Sequence, residues 1–270
     1  APAERGRTVG AITSGVVIGI LLARTTSGLL TDLAGWRSVY LVACGLCLAI
    51  ALALPRSAPL PRSNLSYGAL LRSMLDLWRS EPLFRESALR AFFIFASFST
   101  LWTSIALPLT ERQLSHTAIG AFGLIGAAGA LAAGPAGRLA DQGHGQLIAT
   151  LASMLLATSW LLTAWTPYSL VALATGAILL DLAVQAIHVT NQSRIYPLQP
   201  DAGSRLIGGY MVFYSLGSGV GAIASTALYE RAGWTAVCGL GAAFGVGSLV
   251  TSVRAAPRTS RASRPCESCR

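Results

Sequence analysis

The chain has 270 residues, of which 53% are hydrophobic and only 11% charged, and a formal net charge of +9; a soluble globular protein is about 25% charged. Such a composition excludes a water-soluble core and indicates an all-α polytopic membrane protein. It also argues against nucleic-acid binding, because the basic residues are all arginines spaced between long apolar runs instead of gathered on one wetted face.

Eight apolar segments follow one another, approximately over residues 9–30, 38–55, 88–109, 116–138, 146–165, 168–190, 205–228 and 235–253. Each is close to the roughly 20 residues that cross a hydrocarbon core. The first contains Gly15-x-x-x-Gly19-x-x-x-Ala23, followed by Arg24 deep in the span. If Arg24 points inward it is a counter-ion for a carboxylate or an anionic ligand; if outward, it reaches the outer interface along its apolar stem.

Between the second and third runs lies the one long polar connection, residues 56–87, with Pro59 and Pro61. Inside it, Leu70, Leu71, Met74, Leu75 and Trp78 fall near one helical face, with Arg72, Asp76 and Arg79 elsewhere. That pattern suits an amphipathic helix on the inner leaflet, tethering two halves of a protein. Connections on the N-terminal side of the membrane, counting Arg90 among them, carry sixteen arginines against three on the other side (Arg37, Arg112 and Arg231). By the positive-inside rule both termini and the 56–87 connection are cytoplasmic.

Further along, Gly129-x-x-x-Ala133-x-x-x-Gly137, Gly217-x-x-x-Gly221-x-x-x-Ser225 and Gly241-x-x-x-Gly245 put small residues on single helix faces, where backbones can approach closely. Trp102, Trp160 and Trp165 are interfacial anchors or packing groups, anchoring being the expectation for Trp165 beside Pro167. The sixth run carries the most informative pattern: Asp181, Gln185, His188 and Asn191, at spacings of four, three and three, share one stripe of a helix. A carboxylate near the middle of a span is a functional-site hypothesis by default. Desolvation there raises the cost of its charge, so it can load and release a proton as water access alternates. The plainer alternative for the stripe, and the favoured one for His188 near the interface, is hydrogen bonding between helices.

No metal or cofactor is expected. Cys44, Cys47 and Cys238 lie in apolar runs, and Cys266 and Cys269 form a lone pair in the basic tail, with no second pair to complete a zinc site. An intramembrane enzyme would need a nucleophile with its base or a ligand cluster, and the three histidines, His116, His144 and His188, fall in three different places.

An internal repeat organises the chain. At an offset of 198 residues Arg7 meets Arg205, Gly10 meets Gly208, Gly19 meets Gly217, Ser27 meets Ser225, and Gly35-Trp36 meets Gly233-Trp234. Both copies enter from the cytoplasmic side, so they are parallel repeats related by an axis along the membrane normal.

With Arg5-Gly6-Arg7, Ala23-Arg24, Gly28 and Gly35-Trp36-Arg37, then Gly134-Pro135-x-Gly137-Arg138-Leu139-Ala140-Asp141, Asp181 to Gln185, Asn191-Gln192 and Arg205 in this order, the chain resembles the major facilitator superfamily, and within it the bacterial drug and metabolite exporters. The resemblance implies a fragment of a twelve-helix fold: residues 1–55 as the last two helices of an N-terminal bundle, 56–87 as the central loop, 88–253 as a complete six-helix C-terminal bundle, and 254–270 as a basic tail. It implies proton-coupled export of a small organic molecule across the inner membrane by alternating access, the missing N-terminal helices or a second chain completing the path. Asp181, Gln185, His188, Asn191 and Arg24 are then the substrate- and proton-binding candidates, and Gly137, Arg138 and Asp141 the gating ones. Gln142-Gly143-His144-Gly145 lacks the arginines of the family's cytoplasmic signature, so a full charge relay is not expected there. A truncated, non-transporting remnant is the competing expectation.

Overall fold

The computed structural model describes residues 19, 22–53, 67–198 and 203–255, and among these every regular element is helical. Arg5, Arg7, Gly15, the Pro59–Pro61 stretch, Pro200 and the Cys266 and Cys269 tail lie outside the described residues. In chain order the helices are α1 (22–34), α2 (Trp36–Ala53), α3 (Tyr67–Ser80), α4 (Pro82–Ser104), α5 (Ala106–Glu111), α6 (His116–Ala121), α7 (Ala127–Leu139), α8 (Gly145–Ala164), α9 (Leu170–Ile195) and α10 (Gly203–Ala255).

The runs His116–Ala164 and Arg205–Arg254 are 49 and 50 residues long, about twice a membrane span. Each is interrupted at a glycine with positive φ, Gly143 at 89° and Gly233 at 70°, a conformation that costs side-chain-bearing residues dearly. Divided there, they give four spans, which join Trp36–Ala53, Pro82–Glu111 and Leu170–Leu198 to make seven among the described residues; the apolar run at 9–30 lies largely outside them. Gly35, the repeat partner of Gly233, shares its left-handed conformation at φ 76°. Polar caps mark other helix starts: the Ser169 side chain accepts from the Ala172 N–H at 3.2 Å and that of Ser115 from the Ala118 N–H at 3.2 Å, satisfying end groups that have no partner within the helix.

The chain divides into two compact units, residues 1–66 with 105–127, and residues 67–104 with 128–270. In the first, α2 buries none of its residues. α1 lies against the segment that begins at His116. A side chain on Gly120 would strike the Arg24 carbonyl at 2.6 Å, and the Thr25 hydroxyl donates to the Gly120 carbonyl at 3.4 Å.

In the second unit α4, α8, α9 and α10 pack together through the small-residue faces. A Cβ at Gly217 or Gly221 would collide with the backbone of Phe92 or Ala96 on α4, and one at Gly241 with the Trp160 ring on α8. Hydroxyls hold the same interfaces: Ser153 on α8 bonds Ser248 on α10 at 2.8 Å, and Trp160 Nε1 donates to Ser97 on α4 at 2.9 Å. Trp160 is therefore a packing group, whereas Trp165 is 63% exposed.

The amphipathic helix α3 packs one side against α4 and α10. Its Leu77 is buried with Phe84, Leu206 and Tyr210, and Trp78 stacks on Phe213 at 4.7 Å with a 6° interplanar angle. Leu75, on the face expected to meet lipid, is 56% exposed, so α4 and α10 cover only part of the apolar side of this helix.

Candidate functional site

The stripe on α9 faces α4 and the first half of α10. Asp181 is buried, 5% exposed, and its Oδ1 accepts a hydrogen bond from Trp102 Nε1 at 2.9 Å. Its backbone is fixed from behind by α7: a Cβ on Gly129 would sit 3.1 Å from both the Cβ and the carbonyl oxygen of Asp181. Two turns on, Gly137 meets Val189 in the same way, so the Gly129 to Gly137 face is the bed on which α9 lies.

His188 Nδ1 and the Tyr210 hydroxyl on α10 share a hydrogen bond of 2.9 Å, and Asn191 lies close enough to the Tyr210 hydroxyl to act on it. The Asn191 Oδ1 accepts from Arg90 Nη1 on α4 at 2.8 Å, and its amide donates weakly to the Ser87 carbonyl at 3.4 Å. His188, Tyr210, Asn191 and Arg90 thus form one polar chain through three helices. Around His188 the rings of Phe95 and Tyr214 lie at 5.1 and 6.3 Å between centroids, and Phe98 links this aromatic group to Trp102 at 6.2 Å. Gln185, half-buried, sits between Asp181 and His188 on the same stripe.

Ten residues separate Asp181 from Asn191, about 15 Å along a helix. Their α4 partners, Trp102 and Arg90, run in the opposite order over twelve residues, as antiparallel packing requires. The site therefore has two levels: a carboxylate with an indole at mid-span, and an amide, phenol, imidazole and guanidinium group toward the C-terminal end of α9.

Arg90 was counted among the cytoplasmic connection arginines; the structure buries it completely inside α4. α4 begins at Pro82, earlier than the apolar run beginning near 88, and this extra turn and more carries Arg90 into the bundle. Its signal in the sequence was an arginine flanked by Ala88, Leu89, Ala91 and Phe92. Tyr210 had no comparable signal. Arg194, one turn beyond Asn191, donates to Gln146 Oε1 at 2.8 Å, and Gln146 bonds the Ser252 carbonyl, tying α9, α8 and α10 together at that end.

The remaining candidates lie elsewhere. Arg24 belongs to the first unit, where its stem lies over Gly123, whose added Cβ would come within 2.7 Å of the Arg24 Cβ and Cδ. The helix thus turns Arg24 toward its protein neighbour. Arg138 and Asp141 are exposed; Arg138 Nε makes a long contact of 3.5 Å with the Gly134 carbonyl, and among the described residues no ion pair joins either. The first unit also holds a polar contact that the sequence did not announce. The Asp32 carboxylate accepts from the backbone N–H groups of His116 and Thr117 at 3.2 and 2.7 Å, from the Thr117 hydroxyl at 2.6 Å, and meets His116 Nδ1 at 2.8 Å. The Thr117 hydroxyl and N–H, aided by His116, hold the Asp32 carboxyl at about 2, below its ordinary 3.8.

The model of the Major Facilitator Superfamily matches residues 1–196 and again residues 91–267. The chain is 42% identical over 253 residues, 92% of its own length and 64% of the relative's, to the protein named "Uncharacterized transporter YgaY" of Escherichia coli O157:H7, with the same coverage and identity to YgaY of strain K12. To "Probable transporter SCO4007" of Streptomyces coelicolor it is 32% identical over 270 residues, 95% of this chain and 61% of that protein. The chain thus spans a little under two thirds of the length of these relatives.

Proposed function

The chain belongs to the Major Facilitator Superfamily and is a multi-pass membrane protein, and from that premise we propose that it serves proton-coupled export of a small organic molecule by alternating access. The observation that carries this reading is Asp181: a carboxylate buried at mid-span, hydrogen-bonded to an indole and bordered by an aromatic group. A carboxyl in that setting is neutral when shut off from water and ionised when wetted, which is the property a proton carrier needs. Aromatic rings beside it provide an apolar wall for an organic solute, and Gln185, His188 and Asn191 provide donors and acceptors along the way out. On this reading the inner membrane is its location and both termini are cytoplasmic, as the arginine distribution supports. The glycine faces, where α7 meets α9 and α10 meets α4, are the surfaces on which helices shift.

Uptake into inverted vesicles carrying the protein, over a panel of organic solutes and with an imposed pH gradient, tests the proposal. Gradient-dependent accumulation of at least one solute is expected; a panel on which the gradient has no effect would remove proton coupling.

A further inference from the structure

The arginine that the polar stripe draws into the bundle is only partly used by its neighbours. Arg90 is fully buried, and its Nη1 is held by Asn191 Oδ1 at 2.8 Å. Its other two nitrogens, Nε and Nη2, have no hydrogen-bond partner among the described residues. Those two N–H groups form the side-on edge of the guanidinium, the pair of parallel donors that matches the two oxygens of a carboxylate or phosphate. The Ser87 hydroxyl, likewise buried without a partner, lies one turn earlier on the same face of α4. Unpaired donors are costly where water is scarce, and these three lie within one turn of α4.

The surroundings favour an anion over a neutral group. Arg194 adds a second positive charge close enough to act on Arg90 through space, against the single carboxylate of Glu86. Asn191 turns its oxygen to Nη1 and so fixes the plane of the guanidinium, leaving the side-on edge fixed as well. Among the described residues Glu86 makes no ion pair with Arg90, although it lies on the preceding turn of α4.

We propose that the Nε and Nη2 edge of Arg90, with the Ser87 hydroxyl, is a binding site for an oxyanion, the carboxylate or phosphate group of a soluble compound or of a lipid headgroup, at the cytoplasmic end of the α4 and α9 pair. Occupation requires these two helix ends to part, since the site is closed to solvent in the structure. Binding does not depend on transport, so the proposal stands or falls separately from proton coupling.

The test uses the purified chain in a neutral maltoside detergent, with benzoate or inorganic phosphate titrated at constant ionic strength made up with chloride, and thermal unfolding as the readout. A saturable rise of the unfolding midpoint is expected for the wild type. Arg90→Lys keeps the charge but has no fork, and should weaken the affinity at least tenfold; Arg90→Gln should abolish it, and Ser87→Ala should weaken it severalfold. Glu86→Gln should bind as tightly as the wild type or more so. A short-chain phosphatidic acid added to the same samples separates the sources: binding more than tenfold tighter than phosphate assigns the group to a lipid, and equal or weaker binding to a soluble ligand, both lost in Arg90→Lys. Absence of saturable binding by the wild type, binding that Arg90→Lys leaves unchanged, or binding by Glu86→Gln alone would each overturn the proposal, the last by showing that Glu86 fills the fork.

Discussion

The replacement of Asp181 by Asn separates two roles that one carboxylate could play. Asn keeps the shape of the side chain and an oxygen that can accept from Trp102 Nε1, now at 2.9 Å, so folding stability should change by less than about 1 kcal/mol. Asp181→Ala, in contrast, takes that acceptor away in a site only 5% exposed, and should cost about 1–3 kcal/mol. For coupling the expectation is reversed, since neither variant can carry a proton. One carboxylate moving one proton per solute supports at most about a tenfold accumulation for each unit of pH gradient, or about 1.4 kcal/mol. In inverted vesicles the wild type should approach that gradient, whereas Asp181→Asn should equilibrate solute across the membrane without accumulating it. Thermal unfolding in detergent supplies the stability arm. An Asp181→Asn protein that still concentrates solute against its gradient would refute the argument, and so would one that unfolds as readily as Asp181→Ala, because the side chain would then be structural.

Other outcomes follow from the packing. Gly221→Leu drives a side chain into the backbone of Ala96 on α4, which cannot rotate away; a loss of at least about 1–3 kcal/mol is expected, read as a lower unfolding midpoint, whereas Gly219→Leu, with open space around it, should be tolerated. Ser153→Ala removes a hydroxyl shared with Ser248, and should cost about 0.6 kcal/mol, the average for hydrogen bonds between membrane helices. Asp32→Asn should raise amide hydrogen exchange at His116 and Thr117, whose N–H groups the carboxylate accepts. Folding lowers the Asp32 carboxyl from 3.8 to about 2, so the contact's contribution is complete above pH 3.8 and is lost as pH falls through about 2. Exchange protection at those amides should therefore be flat from pH 8 to about pH 5; a decline near pH 6 would contradict this assignment.

What could be read from the chain itself was what depends on neighbours in sequence. Apolar runs of span length mark the helices because the bilayer satisfies only closed backbone hydrogen bonding. The 3.6-residue period put Asp181, Gln185, His188 and Asn191 on one stripe and the glycines on single faces, and the faces through Gly129, Gly221 and Gly241 are surfaces that pack. The left-handed turns at Gly35 and Gly233 were foreshadowed by the repeat of Gly-Trp at the same offset.

The tertiary structure decided which residues complete the stripe. Trp102 stands 79 residues from Asp181 and Arg90 101 residues from Asn191, and nothing local fixes the rotation and register that bring such residues together. The positive-inside count placed Arg90 with the connection charges although it is the third residue of the run at 88–109. The helix begins at Pro82, and the rotation of α4 then turns Arg90 toward Asn191 and away from water. Composition and periodicity fix what each helix is and which side of it is polar; the facing of one helix by another, settled by close approach at the glycines, fixes which polar groups become a site.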